Sequence, residues 1–287
     1  MKRQIPDLSH FEKLDPAGQD ELFALFRRTV WDFYAAHGRQ FPWRVDHRPY
    51  PVFISEVMLQ QTQTSRVLQK FGPFIEAFPS FADLAAAPLG EVLAAWQGLG
   101  YNRRGLFLHR AAQQVMERYA GILPDDPTLV DDLPGIGTAT AASICAFAFN
   151  RPTPFIETNI RSVYIKIFAG NRDDIDDKLL LPLVERTLAR DRARDWYYAL
   201  MDYGVMIKKE CGNPNRRSRQ YAQQSRFEGS DRQIRGEIMR FLLAKKRTHA
   251  VEICRHFSVS SERVLHILTA LCDEGLLRER AGDIWLP

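Results

Sequence analysis

The sequence predicts a mainly α-helical protein that closes with a small second module, and three observations carry that reading. Apolar residues recur at helical spacing through the first 207 positions, and strand signals are nearly absent there. The last sixty or so residues read as three helices followed by an apolar/polar alternation about Ala281-Gly282-Asp283. Three helices and a short hairpin in that length are the plan of a winged helix. The expected division is a helical domain over 1–228, ending in a basic linker, and a winged helix over 229–287.

Taken in order, Asp15-Pro16 opens the first helix with an N-cap acceptor and a proline at N1. Leu22, Phe23, Phe26, Val30, Trp31, Phe33 and Tyr34 then follow at helical spacing as far as His37-Gly38. The loop GRQFPWRVDHRPYP carries Trp43. In VFISEVMLQQTQ, Phe53, Val57 and Leu59 mark the apolar face of a helix, and Glu56 sits among apolar neighbours. A glutamate on a helix is ordinarily solvated; burial here would suit this one to donate a proton. Helices are expected over Thr64 to Phe78 and Phe81 to Trp96, broken by Pro79 and Pro88. The turn Gly98-Leu99-Gly100-Tyr101 precedes a basic helix and presents Tyr101 for wedging into a base stack, although simple packing would also explain it.

The stretch Asp131 to Asn159 is the one around which the rest is organised. Leu133-Pro134-Gly135-Ile136-Gly137 reads as a tight turn between two helices, with two glycines that let backbone approach closely. Thr138 to Phe149 is a helix of small residues whose first N–H groups offer an anion site to a phosphate. Glu157 places a carboxylate where the next helix begins. Further helices are expected over Ile160 to Ala169, Lys178 to Leu188 and Trp196 to Ile207, and a linker over Lys208 to Ser230. The closing helices are expected over Asp231 to Ala244, His249 to Phe257 and Ser260 to Glu274. His249, His256 and His266 read as surface or capping residues, not ligands.

At 287 residues the chain can bury a sizeable core, and 45% apolar with 26% charged residues is the composition of a soluble globular protein. No apolar run approaches a membrane span, and the amino-terminal residues lack the apolar core of a signal peptide, so a cytoplasmic, nucleoid-associated protein with no membrane partner is expected. Cys145, Cys211, Cys254 and Cys272 form no CxxC pair, which argues against a disulfide framework and a zinc ribbon. The net charge of +4 is uneven: Lys208 to Arg247 holds twelve Lys and Arg against four Asp and Glu, so the rest of the chain sums to −4. A solvated linker would explain that run; nucleic acid becomes the better partner once the motifs agree with it.

Those motifs can be taken together. PWR (42 to 44), PY (49 to 50), SEVMLQQTQ (55 to 63), GLGY (98 to 101), LPGIGTATAASI (133 to 144) and MDYGVMI (201 to 207) resemble the helix-hairpin-helix DNA glycosylases, above all their bacterial adenine DNA glycosylase branch. The likeness spans roughly residues 25 to 207 and stops before the carboxy-terminal part. It implies a helix-hairpin-helix glycosylase fold, to which the winged helix read above is added, and a monomeric repair enzyme acting on double-stranded DNA that contains a lesion or mismatch. By resemblance Glu56 is the general acid that protonates the flipped base. Glu157 falls where the family carries an aspartate that stabilises the sugar cation or activates water, and Asn159 on the residue that supports it. Trp43, Arg44 and Asp202 fall near the base pocket. Gln61 and Tyr101 match residues that fill the gap left in the duplex, while Gly135, Gly137, Thr138 and Thr140 belong to the DNA-binding hairpin. The carbonyls of Asp131, Leu133 and Ile136 match those that hold a monovalent cation, sodium or potassium.

Cleaving an N-glycosidic bond calls for a better leaving group and a stabilised oxocarbenium-like sugar, which two carboxylates in different roles supply. Extruding the base costs a few kcal/mol and calls for wedges and a grip on phosphate. Three departures from the family stand out. Its lyase members carry a lysine where this chain has Ala139, so no amine is placed to form a Schiff base. Its adenine glycosylases hold an iron-sulfur cluster with four cysteines at positions that are Lys208, Asn215, Ser218 and Gln224 here, and Cys211 alone cannot hold one, so no such cofactor is expected. Glu157 is one methylene longer than the family aspartate, at a site where about an ångström can matter a hundredfold. The expected activity is a monofunctional glycosylase, with adenine opposite 8-oxoguanine or guanine as its default. The alternatives are a mismatch glycosylase for uracil, thymine or a modified uracil, and a non-catalytic binder of distorted DNA. The winged helix is expected to add DNA contact, through Arg278 and Arg280 on its wing, and no chemistry.

Overall fold

A computed structural model of the chain describes residues 5–223 and 226–287, so Gln224, one of the four positions compared with cluster cysteines, lies outside the described residues. The helices, in chain order, begin with α1 (Pro16–His37), α2 (Pro42–Val45), α3 (Pro49–Leu59), α4 (Thr64–Ala77) and α5 (Phe81–Ala86). Then come α6 (Leu89–Trp96), α7 (Arg103–Tyr119), α8 (Pro127–Asp131), α9 (Thr138–Phe149) and α10 (Thr158–Phe168). The last are α11 (Asp177–Thr187), α12 (Ala193–Cys211), α13 (Asp231–Lys245), α14 (Ala250–His256) and α15 (Ser261–Asp273). Three 3-10 turns (Phe11–Lys13, Arg190–Arg192 and Pro214–Arg217) and three short strands, β1 (Arg247–His249), β2 (Arg278–Arg280) and β3 (Asp283–Trp285), complete the described elements. The described residues fold into two compact units, one formed by 5–52, 125–131 and 137–223 and the other by 53–124, 132–136 and 226–287.

In the first unit, α1 starts where its sequence requires: the Asp15 side chain accepts from the Gly18 N–H at 2.9 Å, and Pro16 occupies the first turn. Its apolar stripe meets α10 and α12 in an aromatic core, with Phe26 edge-on to Tyr164, Phe168 and Trp196 at centroid distances of 5.6, 5.1 and 5.8 Å. The helix α9 is buried over Ala141 to Ala148, which its small side chains permit. It ends at Asn150, which is left-handed at φ 56° and accepts the Arg194 N–H with Oδ1. A Cβ at Gly204 would overlap the carbonyl oxygen of Asn159, so glycine there sets how closely α12 approaches α10.

The stretch expected to be a linker belongs in part to this unit. The helix α12 continues four residues past Ile207 to Cys211, a 3-10 turn spans Pro214–Arg217, and Ser218 bridges to Ile175. The composition is basic and polar, as in a linker, but Asn215 and Ser218 are buried and the Arg217 guanidinium donates to the Gly170 carbonyl at 2.7 Å. Part of the net positive run is locally compensated, with Arg217, Arg219, Arg226, Arg235, Lys245 and Arg247 each beside a carboxylate.

In the second unit the winged-helix plan is present: α13, α14 and α15, with an antiparallel sheet in the order β1-β3-β2. The two-residue turn Ala281-Gly282 has φ 54° and 85°, the form that suits a tight hairpin. Strand β1 had no signal in the sequence, because Arg247-Thr248-His249 is too short and polar to show alternation. His249 does cap, its Nδ1 accepting from the Val251 N–H at 3.3 Å. The winged helix shares its compact unit with 53–124 and 132–136. Ile234, Ile238, Leu242, Leu268 and Leu271 share one core with Leu93 of α6 and Leu106 of α7. Deleting residues 229–287 is therefore expected to do more than remove DNA contacts. Uncovering two leucines at about 1.5–3 kcal/mol each should lower the thermal midpoint or the solubility of the remainder; a truncated protein that melts as the full chain does would contradict this.

Candidate active site

Glu56 lies on α3, half-buried between the buried Ser55 and Val57. The carboxy-terminal carbonyls of that helix would be orphaned without an external donor. Arg104 supplies it: Nη1 donates to the carbonyls of Val57 at 2.8 Å and Met58 at 3.0 Å. Its Nη2 donates to Thr62 Oγ1 at 2.8 Å and to the carbonyls of Leu99 at 3.0 Å and Gly100 at 3.2 Å. Burial pulls the Arg104 pKa down to about 10, which still leaves it charged at neutral pH. One guanidinium thus ties the end of the Glu56 helix to the turn that carries Tyr101. Sequence reasoning missed Arg104, whose only signal was an arginine three residues after a double-glycine turn.

Two residues expected to act as wedges have an unusual backbone in common. Gln61 and Tyr101 have φ of 53° and 49°, left-handed values that residues other than glycine adopt at some strain and that cluster at functional sites. Gln61 is exposed. Tyr101 is half-buried, its hydroxyl accepting from Arg232 Nη1 of α13 at 2.7 Å, and its ring has the guanidinium carbons of Arg232 and Arg104 at 5.5 and 5.6 Å from its centroid. The winged helix therefore holds the side chain that the sequence presents for a base stack.

At the hairpin, Gly135 has φ 78°, and a Cβ on it would lie 2.7 Å from the Phe107 Cβ, so backbone angle and space both require glycine. The Ile136 N–H donates to the Leu133 carbonyl at 3.1 Å. Gly137 is the exposed N-cap of α9, with nothing within 4 Å of where its Cβ would be. Thr138 is exposed, its Oγ1 donating to Asp131 Oδ2 at 3.1 Å; Ala139 is exposed and Thr140 half-buried.

Glu157 is the N-cap of α10. Its Oε1 accepts from the N–H groups of Asn159 at 2.7 Å and Ile160 at 2.8 Å. Its Oε2 accepts from Asn159 Nδ2 at 3.1 Å and Thr158 Oγ1 at 3.2 Å. These are the backbone groups that a shorter aspartate caps, so the extra methylene is taken up by folding back onto the helix. From the far side, Lys208 Nζ donates to Asn159 Oδ1 at 2.8 Å and Asn215 Nδ2 to the Thr158 carbonyl at 2.9 Å.

Trp43, Arg44 and Asp202 come together in the first unit. Trp43 is buried and stacks on Phe41 at 5.1 Å, while Arg44 lies over the Tyr198 ring at 4.4 Å. Arg44 Nη1 and Nη2 donate to the two Asp202 oxygens at 2.9 and 3.0 Å, and Arg39 adds its backbone N–H and Nε to the same carboxylate at 2.8 and 2.7 Å. The charge of Arg44 is thus directed at Asp202, which ties the PWR turn to α12. The structure therefore assembles three clusters from the expected residues: Glu157 with Asn159, Trp43 with Arg44 and Asp202, and the two left-handed turns beside α3.

A protein-family model described as HhH-GPD superfamily base excision DNA repair protein matches residues 54–186. An adenine DNA glycosylase of Mycobacterium tuberculosis (strain CDC 1551 / Oshkosh) is 30% identical over 244 residues, covering 74% of this chain and 76% of that protein. The chain belongs to the HhH-GPD superfamily of base excision DNA repair proteins. Within the superfamily, an adenine DNA glycosylase of Buchnera aphidicola subsp. Baizongia pistaciae (strain Bp) is 34% identical over 185 residues, 64% of this chain. The chain covers only about half of that relative, 53% of its length. Among solved structures, a thermostable thymine-DNA glycosylase superposes with a TM-score of 0.58 at 25% identity, covering 65% of this chain and 87% of its own.

The chemistry of the residues at the compared cluster positions does not suit an iron-sulfur group. Lys208 offers an ammonium directed at Asn159, Asn215 an amide directed at Thr158, and Ser218 a hydroxyl that donates to Gln220 Oε1 at 3.0 Å. None is a thiolate, the ligand such clusters require. Among the described residues no group of three or more His, Cys, Asp or Glu is placed to hold a metal ion. The purified protein is expected to be colourless and free of iron; a visible band of iron-sulfur type or stoichiometric iron would contradict this.

Proposed function

We propose that the chain is a monofunctional DNA N-glycosylase that hydrolyses the N-glycosidic bond of a flipped base in duplex DNA, with adenine opposite 8-oxoguanine or guanine as the first substrate. The observation that carries the reading is the Glu157 carboxylate, fixed by four donors beside Asn159, in a chain that also keeps Glu56. Gln61 and Tyr101 fill the space that the extruded base leaves. Glu56 gives its proton to the base, the C1′–N bond breaks with its electron pair going to the base, and Glu157 stabilises the cationic sugar or takes a proton from the attacking water. Trp43 and the Arg44–Asp202 pair shape the base pocket. Ala139 offers no amine, so the product is an intact abasic strand. Gly135, Gly137, Thr138 and Thr140 meet a DNA phosphate. A sodium or potassium ion would be held by the carbonyls of Asp131, Leu133 and Ile136 and add positive charge there; the Leu133 oxygen, which takes one N–H, keeps a second lone pair for it. The protein acts as a monomer in the cytoplasm, on the nucleoid.

The resemblance to a thymine-DNA glycosylase favours a second substrate reading, uracil, thymine or a modified uracil mispaired with guanine. A panel of end-labelled duplexes, incubated with excess enzyme and then treated with alkali, tests both. Alkali-dependent breaks at adenine opposite 8-oxoguanine or guanine support the first reading and breaks at a pyrimidine the second. Tight binding with no break on any duplex would leave a non-catalytic binder.

A further inference from the structure

The link from Lys208 to Glu157 assigns a role that neither carboxylate explains. An ammonium only donates, so Lys208 Nζ at 2.8 Å obliges Asn159 to present Oδ1 to it. The amide of Asn159 is then turned so that Nδ2 faces Glu157 Oε2 at 3.1 Å. With an apolar residue at 208 the Glu157 carboxylate alone would set the orientation of the amide, and the Oδ1 acceptor would lose the donor that holds it from the other side. Asn215 holds the same turn from below, donating to the Thr158 carbonyl at 2.9 Å. Gly204 lets α12 come close enough for Lys208 to reach, since any side chain there would collide with the Asn159 carbonyl. Lys208 is half-buried, and burial lowers its pKa while the Glu157 charge opposes that change. Arg161, the other cation near Lys208, is engaged by Asp177 through two bonds of 2.6 Å.

We infer that Lys208 is a positioning residue for the proposed reaction, orienting the Asn159 amide so that Glu157 is held from two sides. The inference rests on the proposed glycosylase reading. It gives the stretch from Lys208 to Asn215 a direct hold on the first turn of α10.

Lys208→Met and Lys208→Arg test it, with single-turnover base release and affinity for an uncleavable duplex measured on the full chain. Lys208→Met is expected to slow release by up to about 100-fold, the cost of misplacing a catalytic group by about an ångström, with duplex affinity and thermal midpoint nearly unchanged. Lys208→Arg should recover most of the rate, because it too only donates. A wild-type rate in Lys208→Met, a loss that merely tracks affinity and melting, or no recovery in Lys208→Arg would overturn the inference. If the wild type releases no base from any duplex, the functional reading fails first. The crystal structure of Lys208→Met then decides the link: Asn159 turned away from Glu157 supports it, and an unmoved Asn159 overturns it.

Discussion

Replacing Glu56 with glutamine is expected to slow base release by about 10²–10⁴-fold, the usual worth of a positioned general acid. The amide keeps the shape of the side chain but has no acidic proton to give the departing base. Because α3 is held by Arg104 through the carbonyls of Val57 and Met58, the substitution should leave the helix and its turn in place. Affinity for an uncleavable duplex should therefore stay at the wild-type level. Gel measurement of both quantities on one duplex checks the expectation, and undiminished release in Glu56→Gln would remove the residue from the mechanism.

The second large effect is expected at Glu157. Glutamine there would lose the charge, and its Nε2 would face the Asn159 Nδ2 and Thr158 Oγ1 donors now satisfied by Oε2. A donor set against donors costs about 1–3 kcal/mol in the folded protein, and the lost anion should slow base release by a hundredfold or more. Glu157→Asp is expected to keep part of the activity, since the N–H groups of Asn159 and Ile160 are those an aspartate N-cap reaches. Glu157→Gln with wild-type turnover would reduce the carboxylate to a helix cap.

Much of this arrangement was legible in the sequence. Asp15-Pro16 announces the start of α1, the glycines of the 133–137 turn announce the hairpin, and Glu157 is placed where α10 begins, because caps and turns are local and depend on a few neighbouring residues. The contacts between distant residues were not legible. Arg104 looks like any basic helix residue until the carbonyls of α3 and Leu99 converge on it. Lys208 and Asn215 read as linker polarity because their partners lie 49 and 57 positions away. The winged helix was visible as a pattern of elements, but its shared core with Leu93 and Leu106 and the Arg232 bond to Tyr101 are tertiary facts with no local signature.

The central claim is that this chain hydrolyses a glycosidic bond without cleaving the strand. Mass spectrometry of the products from a duplex with adenine opposite 8-oxoguanine, run with borohydride present to trap any imine, tests it most directly. The account predicts free adenine in step with an unbroken strand that carries an abasic site, and no covalent protein–DNA adduct. Absence of any free base, there and from the pyrimidine mismatches, would contradict the glycosylase reading, and a trapped adduct would contradict its monofunctional form.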